Sequence, residues 1–490
     1  MPIDEWIYVP ETEPDDFWTG RISLDESSAG HWQFEAIRMT GDGANPYSTG
    51  VFESAGPVSI LIDHREKGTL IWPLVNHVEP KSAHLDRTKI KGSFQALVSG
   101  ACIENMDEPV FHSIFVESPA FAAWYGTKSP KAIRDEHYRT RSIELADPEK
   151  EELTIEALGN VTVTTLALYE QGADADQLKN TVRLDITFDR LRSLAEVMDL
   201  AMGLEMLFGF LVGYRPPMST FGMRKPANED PSKLATSRLH LGGAFFREQS
   251  IPHPLNRLNM RGRDQSSLEA VLAAYIENPE RLLNNIHAIE YSRWFGASLN
   301  DQFAAVMPVF EEYVQGKFKT ADEESYLSTA SDFWAYVENA PSQDLIDFAN
   351  KHLKVQESKA PGLPTVIKRA LTELNEQGFA FDLQLAKRIN NRRAQMFHRA
   401  PVVSESAVSD FHEEKLAVTA ALMLLTLRDL GVRLDGIAEN LGALMEHARF
   451  TQRWNELEKE RADRRSRRQK DEADKKGKKN GPADTAAHEV

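Results

Sequence analysis

The residues with the clearest capacity for chemistry lie between Phe381 and Pro401, in the run FDLQLAKRINNRRAQMFHRAP. Arg393 and His398 are separated there by four residues, and Arg392 and His398 by five. From Leu383 to Ser404 there are five Lys/Arg and no Asp or Glu. An imidazole with an ordinary pKa near 6.5 can take or give a proton at neutral pH. A guanidinium stays charged and offers a planar fork to a phosphate. Together they can serve phosphodiester chemistry on RNA: proton transfer at the ribose 2′-OH or the leaving 5′-oxygen, and stabilisation of an anionic phosphorane-like transition state.

Spacing alone does not single out this pair. Four Arg/His pairs with four to six intervening residues occur, at Arg247/His253, Arg281/His287, Arg392/His398 and Arg393/His398. Random placement would give roughly three. Context separates them. Pro252 and Pro254 put the first in a loop, and apolar packing on an amphipathic helix accounts for the second. The last two share the acid-free window, which a solvated basic helix face would also produce. On a straight helix five steps of about 100° set Arg393 and His398 roughly 140° apart, so a bend or a second subunit must bring them together. Asn391, seven steps from His398, falls within about 20° of it and could orient the imidazole or bind phosphate. Lys387, Arg388 and Arg399 are candidate backbone contacts for RNA.

The elements that position this helix follow from periodicity. Up to about residue 190 the chain mixes β-branched and aromatic residues with period-2 alternation, as in Val182, Leu184, Ile186 and Phe188 against Arg183, Asp185 and Thr187. Gly159-Asn160 predicts a hairpin turn, and SPAFAAWY (118–125) a short helix within the sheet. Residues 191–277 read as a mixed segment. From 278 to 435 the pattern is helical, with Asn278-Pro279 as a start signal. The final helix is apolar on nearly all sides over Leu416–Leu427 and ends at Gly431. Its start is expected at Ser409 or Asp410, with Glu413 closing a capping box. Residues 436–490 form a charged tail. The expected fold class is α+β multidomain: a β-rich N-terminal domain (1–190), the mixed segment (191–277), an all-α bundle (278–435) and the tail. Trp124, Trp294 and Trp334 are expected in the core.

Composition narrows the function. The formal net charge is −17, which argues against a protein that coats nucleic acid. Lys459–Lys479 carries eleven Lys/Arg and five Asp/Glu, a net of +6, so the remainder is −17 − 6 = −23 and any RNA contact must be local. One cysteine, Cys102, excludes an intramolecular disulfide and a cysteine-rich zinc site, and fits a cytoplasmic location. No run reaches the ~20 apolar residues that span a bilayer, and the acidic start does not read as a secretory signal. P-loop, dinucleotide-binding, HExxH and GxSxG motifs are missing, and no histidine pair has metal-ligand spacing with carboxylate support. No cofactor and no metal are expected.

The Arg-x4-6-His motif at the end of a penultimate helix, followed by a broken turn and an apolar last helix, resembles the HEPN pattern of prokaryotic nucleases and toxins. Upstream, the β-rich region, SPAFAAWYG, VRLDITFDRLRSLAEVMDLAMGLEMLFGF and IHAIEYSRWF are similar to ApeA-type anti-phage proteins. The likeness covers roughly residues 15–435. It implies an all-α HEPN domain acting as a metal-independent endoribonuclease in abortive infection. Two subunits would face one composite site, so the chain would be at least a homodimer, with host or phage RNA, tRNA among them, as substrate and a phage-derived trigger. By position the resemblance makes His398 the catalytic histidine and Arg393 the catalytic arginine, with Arg392 as the second choice. The family often has a polar residue after the arginine. Ala394 stands there, whereas Arg393 follows Arg392. A catalytically inactive HEPN-type RNA-binding or dimerisation module is the alternative, and a carbohydrate- or peptide-binding β-domain joined to a helical oligomerisation bundle is a third reading.

Overall fold

The computed structural model describes residues 3–10, 17–24, 32–39, 52, 56–62, 66–79, 87–126, 131–134, 140–144, 149–170, 177–213, 220–227, 233–241, 266–293, 297–318, 335–339, 342–352, 361–397, 405–435, 437 and 459. The strands are β1 (Ile3–Pro10), β2 (Phe17–Leu24), β3 (Trp32–Met39), β4 (Val58–Ile62), β5 (Glu66–Ile71), β6 (Leu74–Glu79), β7 (Arg87–Phe94) and β8 (Ala96–Ser99). They continue with β9 (Phe111–Glu117), β10 (Lys131–Arg134), β11 (Thr140–Glu144), β12 (Lys150–Ile155), β13 (Gly159–Glu170), β14 (Gln177–Arg192), β15 (Thr220–Pro226) and β16 (Leu234–Leu241). The helices are α1 (Pro119–Tyr125), α2 (Leu194–Val212), α3 (Leu268–Glu277), α4 (Pro279–Ser292), α5 (Leu299–Phe318), α6 (Gln343–His352), α7 (Leu363–Glu376), α8 (Leu385–Phe397) and α9 (Glu405–Asp429). All sixteen strands described lie before Leu268, with α1 and α2 inserted among them, only helices follow, and the sheet pairing is antiparallel, so the fold is α+β. The chain divides into two compact units, residues 1–283 with 430–432, and residues 284–429 with 433–490.

Among the described residues of the first unit, fourteen strands join in the order β12-β13-β14-β9-β15-β16-β8-β5-β4-β1-β2-β3-β7-β6. Alternation decides which face is buried. On β14, Val182, Leu184, Ile186 and Phe188 are buried, with Arg183, Asp185 and Thr187 between them on the other face. The middle strands β5 and β8 break that rule. Thr69, Leu70 and Ile71 are buried in succession, as are Ala96, Leu97 and Val98. Leu70 and Leu97 belong to a core with Trp18, Trp32, Phe34 and Phe52, where Phe34 and Phe52 stack 4.9 Å apart. Thr69 and Ile71 face the other way. Buried Thr69 is satisfied there, donating to the Ala101 carbonyl at 3.0 Å and accepting from the Ile103 N–H at 2.9 Å.

Two helices cap the sheet where local chemistry starts them. The Ser118 side chain accepts from the Phe121 N–H with Pro119 in the first turn, and this begins the short helix expected within the sheet. Ser118 Oγ also donates to the buried Glu205 of α2 at 3.1 Å. α2 opens on a capping box of Ser193 and Glu196 and ends at Gly213 in the left-handed region. Trp124 is buried, as expected. Trp294 and Trp334 lie outside the described residues. The hairpin turn differs from its expected place. Ile155 pairs with Gly159, so the turn is Glu156-Ala157-Leu158 and Gly159 already begins β13. Gly159 has φ +115 and a Cβ there would sit 2.2 Å from the Thr187 carbonyl oxygen. The glycine therefore serves strand packing as well as turning.

On the polar face of this sheet Phe115 lies flat against Gly222. The Arg183 guanidinium covers the ring at 3.9 Å and Arg224 stands 5.1 Å from its centre. Asp185 Oδ1 accepts from both arginines at 3.0 Å. A Cβ on Gly222 would lie 1.9 Å from the ring. Gly222→Ala should therefore destabilise the first unit by about 1–3 kcal/mol through overpacking. Urea denaturation of the variant checks this, and adding Phe115→Leu should recover part of the loss.

Candidate functional site

In the second unit α8 presents an apolar stripe of Leu385, Ala386 and Ile389, all buried. Phe381 and Phe379 are buried just before it. Asn375 of α7 fixes this entry, donating to the Phe381 carbonyl at 2.9 Å and accepting from the Phe381 N–H at 2.7 Å. Successive helical residues turn by about 100°, so the neighbours Arg392 and Arg393 fall on opposite flanks of the stripe. Each meets a different helix. Lys387, Asn391 and Ala394 face solvent.

On one flank Arg392 donates from Nε to Glu414 Oε2 of α9 at 2.7 Å and from Nη1 to Gln395 at 3.1 Å. Its guanidinium stands 4.7 Å from the centre of the Phe411 ring. The two side chains of this pair are 12% and 5% exposed, so both charges are largely removed from water. Arg388, one turn earlier, pairs with Glu413 and reaches Glu414 at 3.4 Å. Burial pulls the Arg388 pKa down, but the bonds and charges of Glu413 and Glu414 outweigh it and leave it above its ordinary value. Lys415, also buried, donates to the Ser292 carbonyl at 3.1 Å.

On the other flank Arg393 pairs with Glu311 of α5. Its Nε donates to Oε2 at 2.5 Å and its Nη2 to Oε1 at 3.0 Å. This pair is more open, with side-chain exposures of 33% and 20%. α5 is seated in the bundle by Phe303, Val306, Met307, Phe310 and Val314, all buried. Phe303 meets Phe411 edge-on at 5.3 Å. Further along α5, Tyr313 Oη donates to Asp429 at 2.6 Å. Burial, reinforced by Asp429, raises the pKa of that hydroxyl far above its usual value.

The structure thus gathers Lys387, Arg388, Asn391, Arg392 and Arg393 on one helix and separates them by neighbourhood. His398 and Arg399 lie outside the described residues. The acid-free window of the sequence is not acid-free in space, because Glu311, Glu413 and Glu414 converge on it from two other helices. Glu413 was expected as a capping residue. α9 begins at Glu405 instead, which places Glu413 inside the helix where it faces Arg388. Among the described residues no cluster of three His, Cys, Asp or Glu could hold a metal ion. No helix among them is long and apolar enough to cross a membrane.

A sheet-rich first unit and a helical second unit define a two-part α+β protein whose candidate arginines lie on one helix of the bundle. The model of the ApeA N-terminal domain 1 family matches residues 7–263, just over half of the chain. The chain belongs to that family and is an ApeA-type protein, which points to anti-phage defence. No curated protein and no solved structure matches it.

The buried pair gives a direct test of how α8 is held. Glu414→Gln would leave Arg392 charged and largely buried without its anion, at a cost of about 3 kcal/mol. Guanidinium denaturation should show that loss, and replacing Arg392 and Glu414 together by leucine should recover most of it.

Proposed function

We propose that this ApeA-type protein is a metal-independent endoribonuclease of the HEPN type, acting as an anti-phage effector. The observation that carries the proposal is the contrast between two adjacent arginines. Arg392 is sunk against Phe411 and Glu414, whereas Arg393 is a third exposed and engages both carboxylate oxygens of Glu311. An arginine that must reach a phosphate needs solvent access and a fixed fork, so Arg393 is the better choice for the motif. Membership of the ApeA family supports the defence role.

In this reading His398 removes the proton of the ribose 2′-OH or delivers one to the leaving 5′-oxygen. The 2′-oxygen attacks the adjacent phosphorus, the P–O5′ bond breaks, and a 2′,3′-cyclic phosphate and a 5′-OH end result. Arg393 neutralises the charge that grows on the phosphoryl oxygens. The geometry of a helix keeps Arg393 and His398 on different faces unless the chain bends at its end, so a site shared between two subunits of a homodimer is part of the proposal. Lys387, Asn391 and Arg399 would contact the RNA, a phage-derived signal would release the activity, and the work would be done in the cytoplasm. Arg388, paired with Glu413, has the weaker claim to an RNA contact.

One observation favours a second reading, an inactive HEPN-type RNA-binding or dimerisation module. Arg388, Arg392 and Arg393 each face a carboxylate, and Ala394 occupies a position that is often polar in HEPN motifs. Cleavage assays on the full chain decide. His398→Ala and Arg393→Ala should each slow RNA cleavage by about 10²–10⁴-fold, and EDTA should leave the wild type unaffected. Full activity in both variants would remove the nuclease assignment, and loss of activity in EDTA would replace it with a metal mechanism.

A further inference from the structure

Glu311 and Arg393 are 82 residues apart in the chain and meet through the Nε–Nη2 edge of the guanidinium, with both carboxylate oxygens engaged. Glu311 is in turn braced one turn along α5, where Gln315 Nε2 donates to Oε1 at 3.0 Å. We propose that Glu311 is a positioning residue for Arg393. It fixes the plane of the guanidinium in which Arg393 meets the scissile phosphate. The inference rests on the nuclease reading above.

Three features favour positioning over simple cohesion. The pair is bidentate and side-on, which removes rotation about the Cδ–Nε bond that a single contact would leave. It is also partly exposed, in a setting where an ion pair adds little to stability. And α8 is already tied to the bundle by its apolar stripe and by the buried Arg392–Glu414 pair, so the fold does not need Glu311 for that purpose. A group that contributes little to folding yet fixes an arginine in one plane is expected to act on the rate of a reaction. Preorganised donors gain their advantage by paying no reorientation cost when charge develops.

The opposite sign is physically possible. Glu311 could mask Arg393 from RNA, in which case its loss would raise activity. Cleavage of bulk tRNA by the full-length protein separates the two. With Glu311→Ala, and with the isosteric Glu311→Gln, kcat should fall about 10- to 100-fold, KM should stay within about twofold, and the thermal midpoint should not move. Glu311→Asp should recover part of the rate. The double variant Glu311→Ala/Arg393→Ala should be no slower than Arg393→Ala alone, because the two residues act as one unit. Wild-type or higher rates in both Glu311→Ala and Glu311→Gln, with Arg393→Ala inactive, would overturn the positioning role and leave the nuclease reading standing. Additive losses in the double variant would overturn it too. If Arg393→Ala cuts as fast as the wild type, or if the wild type does not cut, the nuclease reading and this inference fall together.

Discussion

The helical unit depends on how it handles the charge of Arg392. Moving a guanidinium out of water costs several kcal/mol unless an anion and further bonds replace the solvent. Here Glu414, Gln395 and the face of Phe411 supply that replacement. Once Arg392 is fixed on α9, the rotation of α8 about its own axis is fixed as well. Leu385, Ala386 and Ile389 must face the core, and Arg393 must emerge on the flank beside α5. A single buried pair thus sets the orientation of a residue whose own environment is far wetter. A hydrophobic replacement of similar volume would hold the helix equally well, so the retained charges fix orientation more than they add to stability.

The first unit solves a different problem, that of extending one sheet across two cores. A strand exposed on one side alternates polar and apolar residues, but β5 and β8 serve a core on each side, and their buried runs, Gly68–Ile71 and Ala96–Val98, are apolar almost throughout. Thr69 is the exception, and both of its hydrogen-bonding roles are filled by the segment that follows β8. Towards β9, β14 and β15 the second face turns polar. There Phe115, which has no core to enter, is enclosed instead by Gly222 below and two arginines joined through Asp185. Cation–π contact and a shared carboxylate take the place of apolar burial.

Much of this was legible in the sequence where the signal is local. The alternation of Val182, Leu184, Ile186 and Phe188 is the alternation of buried residues, Ser118-Pro119 starts a helix because the side chain and ring act within four residues, and Asn278-Pro279 separates two helices, its carbonyl accepting from the Leu282 N–H. The order of strands was not legible, since β9 lies between β14 and β15 and β8 between β16 and β5 through pairings that no local pattern encodes. The turn at Gly159 was misplaced by its resemblance to a two-residue hairpin, because the dipeptide gives no sign that Thr187 of the next strand leaves no room for a side chain. The candidate site divides in the same way. Its arginines stood out as a cationic run, but Glu311 is one glutamate in a helix 82 residues away and nothing in its surroundings marks it.

The counter-charges alter what kind of RNA contact this helix can make. Among the described residues of this cluster, Lys387, Arg388, Arg392 and Arg393 bring four positive charges and their partners Glu311, Glu413 and Glu414 return three negative ones, so these seven side chains sum to 4 − 3 = +1 within a chain of −17. Long-range attraction of a polyanion scales with the unneutralised charge and is screened within about 10 Å at ordinary ionic strength. A charge of +1 provides little of it. Recognition in the proposed nuclease would then rest on short-range donors with fixed directions, above all the fork of Arg393, and on a second copy that doubles them. Such a site is selective because it is weak at a distance: RNA that does not fit is not retained, and cleavage is confined to substrates or states that bring a phosphate into contact.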